Sequence, residues 1–336
     1  MTIGCLFSGV GLLLLSRIQD LRLFALTYAG LVCVGAALFG AMPSMTIVAN
    51  WFVKRRGFAL GLTFAGATIV SAAAPVIAQY LIDTAGWRTA LSSFGIFVLI
   101  VGVPVFGMLV VGRPEDVGQL PDGELPNDEE PAFSAQILSV EQLARDPRLW
   151  LISLGFGLLM TSPIVLLTLL IPFGQGLGFS GQEANAFLVA AMPFSLLGKL
   201  GLGTLADRSP AKPIVALIVV ANVIVWLIFY AMPTYPVFVL SGAIYGLGIG
   251  GVAPVQGVVL GRCFGRVNFG TANGLGGVLM IALLIMVTLV SSFLQGESGE
   301  GYPTIFLVQS CLLLLGGFIL AVIRIPGVDE SADVPS

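Results

Sequence analysis

Ten stretches of the chain are apolar over the length that crosses a bilayer: approximately 1–19, 23–49, 57–82, 90–112, 149–173, 184–205, 213–232, 236–260, 270–294 and 302–323. A span needs roughly 20 predominantly apolar residues. Inside hydrocarbon the backbone can satisfy its own polar groups only as a helix or as a closed barrel. These stretches do not alternate apolar and polar residues, so helices are predicted. Composition agrees, with 57% of the 336 residues hydrophobic and 10% charged, against roughly 25% charged in a soluble domain. The expected fold class is an all-α membrane protein, a helix bundle of about ten spans.

The basic residues set the orientation. Lys54, Arg55, Arg56, Arg113, Arg145, Arg148, Arg208, Lys212, Arg262, Arg266 and Arg324 fall on one face, and only Arg17, Arg22 and Arg88 on the other. Lys199 alone lies inside a span. The opposite loops carry Asp20, Asp83, Glu183, Glu297 and Glu300. An even number of spans puts both termini on the basic side, which is predicted to be cytoplasmic, in a cell membrane. Residues 1–16 are apolar but lack a basic n-region, so they read as a span and not as a cleaved signal.

Several function classes are excluded by what the spans carry. Fifteen Lys and Arg against 18 Asp and Glu leave no basic surface for a phosphate backbone, so nucleic acid is not an expected partner. The chain has no histidine, and Cys5, Cys33, Cys263 and Cys311 show no C-x-x-C spacing. Zinc, haem and disulfide frameworks are therefore poor readings, and no cofactor is expected. An intramembrane enzyme would need a buried acid–base pair or an activated nucleophile, and no carboxylate falls mid-span. The G-x4-G-K-[ST] phosphate loop is also absent from the sequence. Nucleotide hydrolysis within the chain is therefore not expected.

The long break at 113–148 includes RPEDVGQLPDGELPNDEEP, with Glu115, Asp116, Asp122, Glu124, Asp128, Glu129 and Glu130. Acidic, proline-rich text of this kind stays solvated. It divides a four-span half, 1–112, from a six-span half, 149–325, with a tail at 326–336. At its end SVEQLARDPRLW is predicted to form a short interfacial helix anchored by Leu138, Leu143 and Trp150.

The two halves share a pattern. Gly35, Gly40 and Pro43 in the second span match Gly246, Gly251 and Pro254 in the eighth, both as G-x4-G-x2-P. Past the aromatic-basic loops WFVKRRG and CFGRVNFG come Gly57, Ala59, Gly61 and Gly270, Ala272, Gly274, in a shared register of 211 to 213 residues. Parallel pseudo-repeats are a transporter signature. That register places the partners of the fifth and sixth spans before Met1, so the expectation is a chain shortened by about 60 residues and two spans; a native ten-span protein is the alternative.

NWFVKRRGFALGL at 50–62, GWR at 86–88, RPEDVGQLPDG at 113–123 and GKLGLGTLADR at 198–208 resemble major facilitator transporters, and within them the monocarboxylate transporter and oxalate/formate antiporter branch. The resemblance implies a major facilitator-type bundle of four plus six spans that moves a small organic anion, a monocarboxylate first, with a coupling proton or counter-anion. It identifies Gly203, Asp207 and Arg208 as a cytoplasmic loop motif that holds one alternating state, and a cation four residues before the motif glycine, here Lys199, as a contact for the anion.

The residues alone support much of this. Gly203 permits close helix approach, and Asp207 can accept bonds from N–H groups at a neighbouring helix end. Arg208 or Lys212 can pair with carboxylates, and Arg55, Arg56 and Gly57 form the basic loop of the first half. Lys199 lies about 12 Å along the helix from Asp207, and an intramembrane cation is by default functional; a snorkelling lysine, or one paired with Asp207, is the other reading. Gln79, Thr161, Tyr245 and Gln256 are further mid-span candidates for substrate contact, with interhelical hydrogen bonding as their alternative. The chain departs from proton-coupled carriers at Ser195, where those have a carboxylate. A non-transporting remnant or membrane sensor of the same fold is the competing function.

Overall fold

The computed structural model describes residues 1–123, 137–295 and 301–327. Glu124 and Asp128 to Glu130 of the acidic linker, Glu297, Glu300 and the end of the tail lie outside them. Every described element is helical: α1 Thr2–Leu15, α2 Leu21–Trp51, α3 Arg56–Ala85, α4 Trp87–Leu109, α5 Val140–Arg145, α6 Pro147–Gly176, α7 Gly181–Arg208, α8 Ala211–Tyr230, α9 Tyr235–Gln295 and α10 Tyr302–Val322. Eight of these are long and apolar enough to cross a membrane, and α1 is a shorter apolar helix. The 61-residue α9 is two spans joined at Gly265, whose φ of 70° breaks the helix. Only glycine adopts that conformation at no steric cost. The expected 261–269 loop is thereby reduced to one residue, and the described chain carries ten apolar helical segments, four before the linker and six after it.

Helix starts follow the capping residues in the loops. Asp20 accepts from the Leu23 N–H, Asp146 from the Arg148 N–H, and Ser139 and Ser180 form reciprocal capping boxes with Gln142 and Glu183. These side chains satisfy donors that an apolar helix cannot satisfy within its own first turn. A short helix, α5, forms in the predicted stretch, but Leu143 is fully buried against protein and so is not the membrane-surface anchor expected of it, while the Trp150 indole N–H donates to the Ala144 carbonyl.

The chain divides into two units, Met1–Trp51 with Gly66–Asn127, and Phe52–Ala65 with Asp128–Ser336. In the first, α1 packs through glycines: a side chain at Gly4 would meet the Gly35 carbonyl, and one at Gly9 would meet Leu99 and the Gly95 carbonyl. Its helices include widened π turns at Tyr28–Cys33, Val98–Gly102 and Val105–Leu109. The repeated G-x4-G-x2-P pattern takes two forms. In α2 Gly40 is extended (ψ −152°) and breaks the helix, so Pro43 falls in a first turn, where a missing N–H costs nothing. In α9 Pro254 sits inside continuous helix.

The second unit is held at one end by aromatic rings. Phe173, Phe187, Trp226, Phe229, Phe238 and Phe306 are all buried, in edge, tilted or stacked contacts of 4.8–6.0 Å such as Phe173–Phe306, Trp226–Phe229 and Phe229–Phe238. Along the rest of its length α7 lies directly on the first limb of α9. Side chains at Gly242, Gly246 and Gly250 would strike the backbone carbonyls of Phe187, Ala191 and Ser195. The constant four-residue step on both helices makes this a parallel seam of backbone contact, the packing that small residues permit in lipid.

Candidate functional site

The start of α3 crosses α7 within the second unit. Gly57 faces the Gly203 carbonyl and Gly61 the Lys199 carbonyl, so the two pairs run antiparallel at a four-residue spacing. The G-x-A-x-G pattern and the Lys199-to-Gly203 spacing are thus two sides of one helix crossing. A β-carbon at Gly57, Gly61 or Gly203 would overlap backbone that has no room to move.

Charge closes the crossing at its basic end. Asp207, half-buried at the end of α7, accepts from the Gly57 N–H through Oδ1 at 2.6 Å and from the Phe58 N–H through Oδ2 at 2.9 Å. A carboxylate on the exposed N–H groups of a helix start is favoured by both hydrogen bonding and the helix dipole. The α7 terminus is satisfied from the other side: Arg262 donates to the carbonyls of Ala206 (2.5 Å) and Ser209 (3.3 Å). Arg56, 4% exposed, donates from Nε to the Phe52 carbonyl and lies 5.6 Å from the Phe269 ring centre. Its guanidinium occupies the space a side chain on Gly261 would take. Asp207 feels both Arg262 and Arg56, so one carboxylate and two guanidinium groups tie the start of α3, the end of α7 and the turn of α9.

Of the other motif residues, Gly203 and Gly57 form the crossing itself, whereas Arg55 and Arg208 are exposed. Lys212 donates to the Ala321 carbonyl at 2.7 Å. Arg262, which sequence reasoning counted only among the cytoplasmic charges, is the cation that secures the α7 terminus. Its one signal was its place beside Gly261, and its partners are main-chain carbonyls that no residue pattern encodes.

Lys199 sits two turns inside α7, half-buried, with Nζ donating to Ser195 Oγ at 2.6 Å. No carboxylate pairs with it among the described residues. The remaining candidates do not share a hydrogen bond with it. Thr161 Oγ1 accepts from Gln309 Nε2 at 2.7 Å and donates to the Leu158 carbonyl, and Gln256 Nε2 lies 3.4 Å from Met280 Sδ. Tyr245 OH is 3.3 Å from Ser162 Oγ, which also accepts from the Trp226 indole at 2.9 Å. Gln79 belongs to the other unit, exposed, and donates to Asp83 Oδ1 at 2.7 Å. Two buried asparagines were missed: Asn222 leaves Oδ1 without a partner and Asn273 leaves both side-chain polar atoms so. In sequence, an asparagine in an apolar run carries no sign of which helix it faces.

Ten apolar helical segments, glycine seams between them and a charged clasp at one end define a polytopic α-helical membrane protein of transporter architecture. The profile of the Major Facilitator Superfamily matches residues 1–225, and the chain belongs to that superfamily. Among curated relatives it is 25% identical over 230 residues to the MFS-type transporter pynF of Aspergillus niger, covering 68% of this chain and 49% of that protein. It is 23% identical to Monocarboxylate transporter 12 of Rattus norvegicus (99% and 73% covered) and 26% identical to Monocarboxylate transporter 11 of Homo sapiens (94% and 66%). The chain thus resembles the monocarboxylate transporter branch and spans about half to three quarters of these relatives. Its fold is similar to that of the E. coli fucose:proton symporter, with a TM-score of 0.65 at 16% identity over 95% of this chain and 82% of that one. A bacterial homologue of ferroportin in the outward-facing state gives 0.64 at 14% identity, over 99% and 82%.

Proposed function

We propose that the protein is a secondary active transporter of a small organic anion, a monocarboxylate first, working by alternating access. The carrying observation is Lys199: a half-buried cation within a membrane helix whose recorded partner is a neutral hydroxyl. A charge at mid-membrane costs roughly 3 kcal/mol on insertion scales, and a bound carboxylate offsets that cost while the ammonium offsets the carboxylate's own desolvation. The relatives named as monocarboxylate transporters support the same substrate class.

In this reading Lys199 supplies the counter-charge, with Thr161, Tyr245 and Gln256 of the same unit as secondary polar contacts. The clasp of Asp207 and Gly203 on Gly57, with Arg56 and Arg262 beside it, holds one state. The coupling species is a proton or a counter-anion. Both termini and the linker face the cytoplasm of a cell membrane.

Uptake of labelled lactate, pyruvate or formate into vesicles carrying the protein tests the proposal. Lys199→Gln keeps a hydrogen-bonding group but loses the charge, and is expected to lower uptake roughly hundredfold, the scale of an uncompensated mid-membrane charge. Lys199→Arg keeps the charge in altered geometry and is expected to retain part of the rate. Unchanged affinity and rate in Lys199→Gln would overturn the anion assignment.

A further inference from the structure

The face of α7 turned away from Lys199 has its own chemistry. Leu197, Leu200, Gly201, Thr204, Leu205 and Arg208, all on this one helix, line a shallow, open, mostly apolar groove. At 3.6 residues per turn, Leu197, Gly201, Thr204 and Arg208 lie roughly 140–180° around the helix from Lys199. Gly201 forms the floor, with nothing within 4 Å of where its side chain would begin. The walls are leucine, and the single charge is at one end.

That charge has no partner among the described residues. Lys212 is bonded to the Ala321 carbonyl, Arg262 to the Ala206 carbonyl, Arg145 to Glu141 and Arg148 to Asp146. Arg208 makes no hydrogen bond or ion pair among the described residues, and its exposed guanidinium borders the apolar trough. From Leu197 to Arg208 the groove runs eleven residues, about 16 Å. One leaflet of the hydrocarbon core is about 15 Å thick, so the apolar part matches the depth of a single leaflet with the guanidinium at headgroup level.

We propose that this groove on α7 docks an anionic phospholipid, one acyl chain lying over Gly201 between the leucines and the phosphate paired with Arg208. Charge complementarity selects the headgroup: guanidinium binds a phosphate oxygen pair in fork geometry, and a zwitterionic lipid would bring its own ammonium against the arginine. Basic residues at the cytoplasmic ends of membrane helices recognise anionic lipids in this way.

Native mass spectrometry of the full chain, delipidated in mild detergent and titrated with palmitoyl-oleoyl phosphatidylglycerol or phosphatidylcholine, tests the site. The parent protein is expected to retain the glycerol lipid roughly fivefold more than the choline lipid, the preference one basic residue confers near a membrane surface. Arg208→Gln should bring the two lipids to parity. Gly201→Leu adds bulk where a β-carbon has open space and should lower retention of both. A preference that survives Arg208→Gln, or retention unchanged in Gly201→Leu, overturns the site, and Gly201→Leu decides alone if Arg208→Gln does not accumulate. Displacement of the bound lipid by millimolar inorganic phosphate would mean that only the headgroup is held, and would overturn the acyl groove.

Discussion

Asp207 could not be predicted to be stable half-buried from its own chemistry; what stabilises it is the pair of N–H groups at the start of α3. Asparagine keeps one acceptor there but loses the second and the charge. Asp207→Asn is expected to destabilise the second unit by about 1–2 kcal/mol, the scale of a lost helix cap, read as a lower melting temperature in detergent; an unchanged melting temperature would mean the contact is incidental to stability. The aspartate's capping role was legible in the sequence, because a carboxylate just past a span can serve only a helix end or solvent. Its partner was not, since Gly57 lies 150 residues away. Lys199 was legible for the same reason that it is costly: a single charge in an apolar run stands out. The bonds from Trp226 and Tyr245 to Ser162 were not, because serine in a membrane span is common and carries no mark of what it faces.

Among the elements, the α7–α9 seam is sensitive to volume. A side chain at Gly246 would collide with the Ala191 carbonyl, which belongs to rigid helical backbone, whereas Gly66 has open space around it. Gly246→Leu is expected to cost several kcal/mol by forcing the helices apart, seen as lost expression or a collapsed melting transition, and Gly66→Leu to be near neutral in the same assay. Equal behaviour of the two would remove the seam from the account of stability. Helix existence followed from apolar length, and helix starts from Asp20, Asp146, Ser139 and Ser180, because these effects are local. The single-residue turn at Gly265 did not follow: many glycines are present, and only packing of the two α9 limbs selects which one breaks the helix.

For the whole molecule, the testable consequence is topology. The split of basic residues predicts that the linker lies on the cytoplasmic side and the loop between α9 and α10 opposite. Single cysteines introduced at Ser134 and Ser298, both outside the described residues, in a chain whose native four cysteines are replaced, should label from opposite sides of the membrane. Labelling of both by one impermeant reagent on intact cells would sink the assignment.

The sequence by itself determined that the chain is a membrane helix bundle, because hydrocarbon leaves an apolar 20-residue stretch almost no other way to satisfy its backbone. It also placed the charges that cannot be lipid-facing, since the cost of burying them is intrinsic to the residue. Tertiary structure decided which surfaces meet: Gly57 on Gly203, Gly61 on Lys199, Arg56 over Gly261, Arg262 on the end of α7. Lipid is as apolar as leucine, so hydrophobicity does not discriminate one helix face from another. That choice falls to backbone approach and main-chain hydrogen bonds, which exist only once distant segments are side by side.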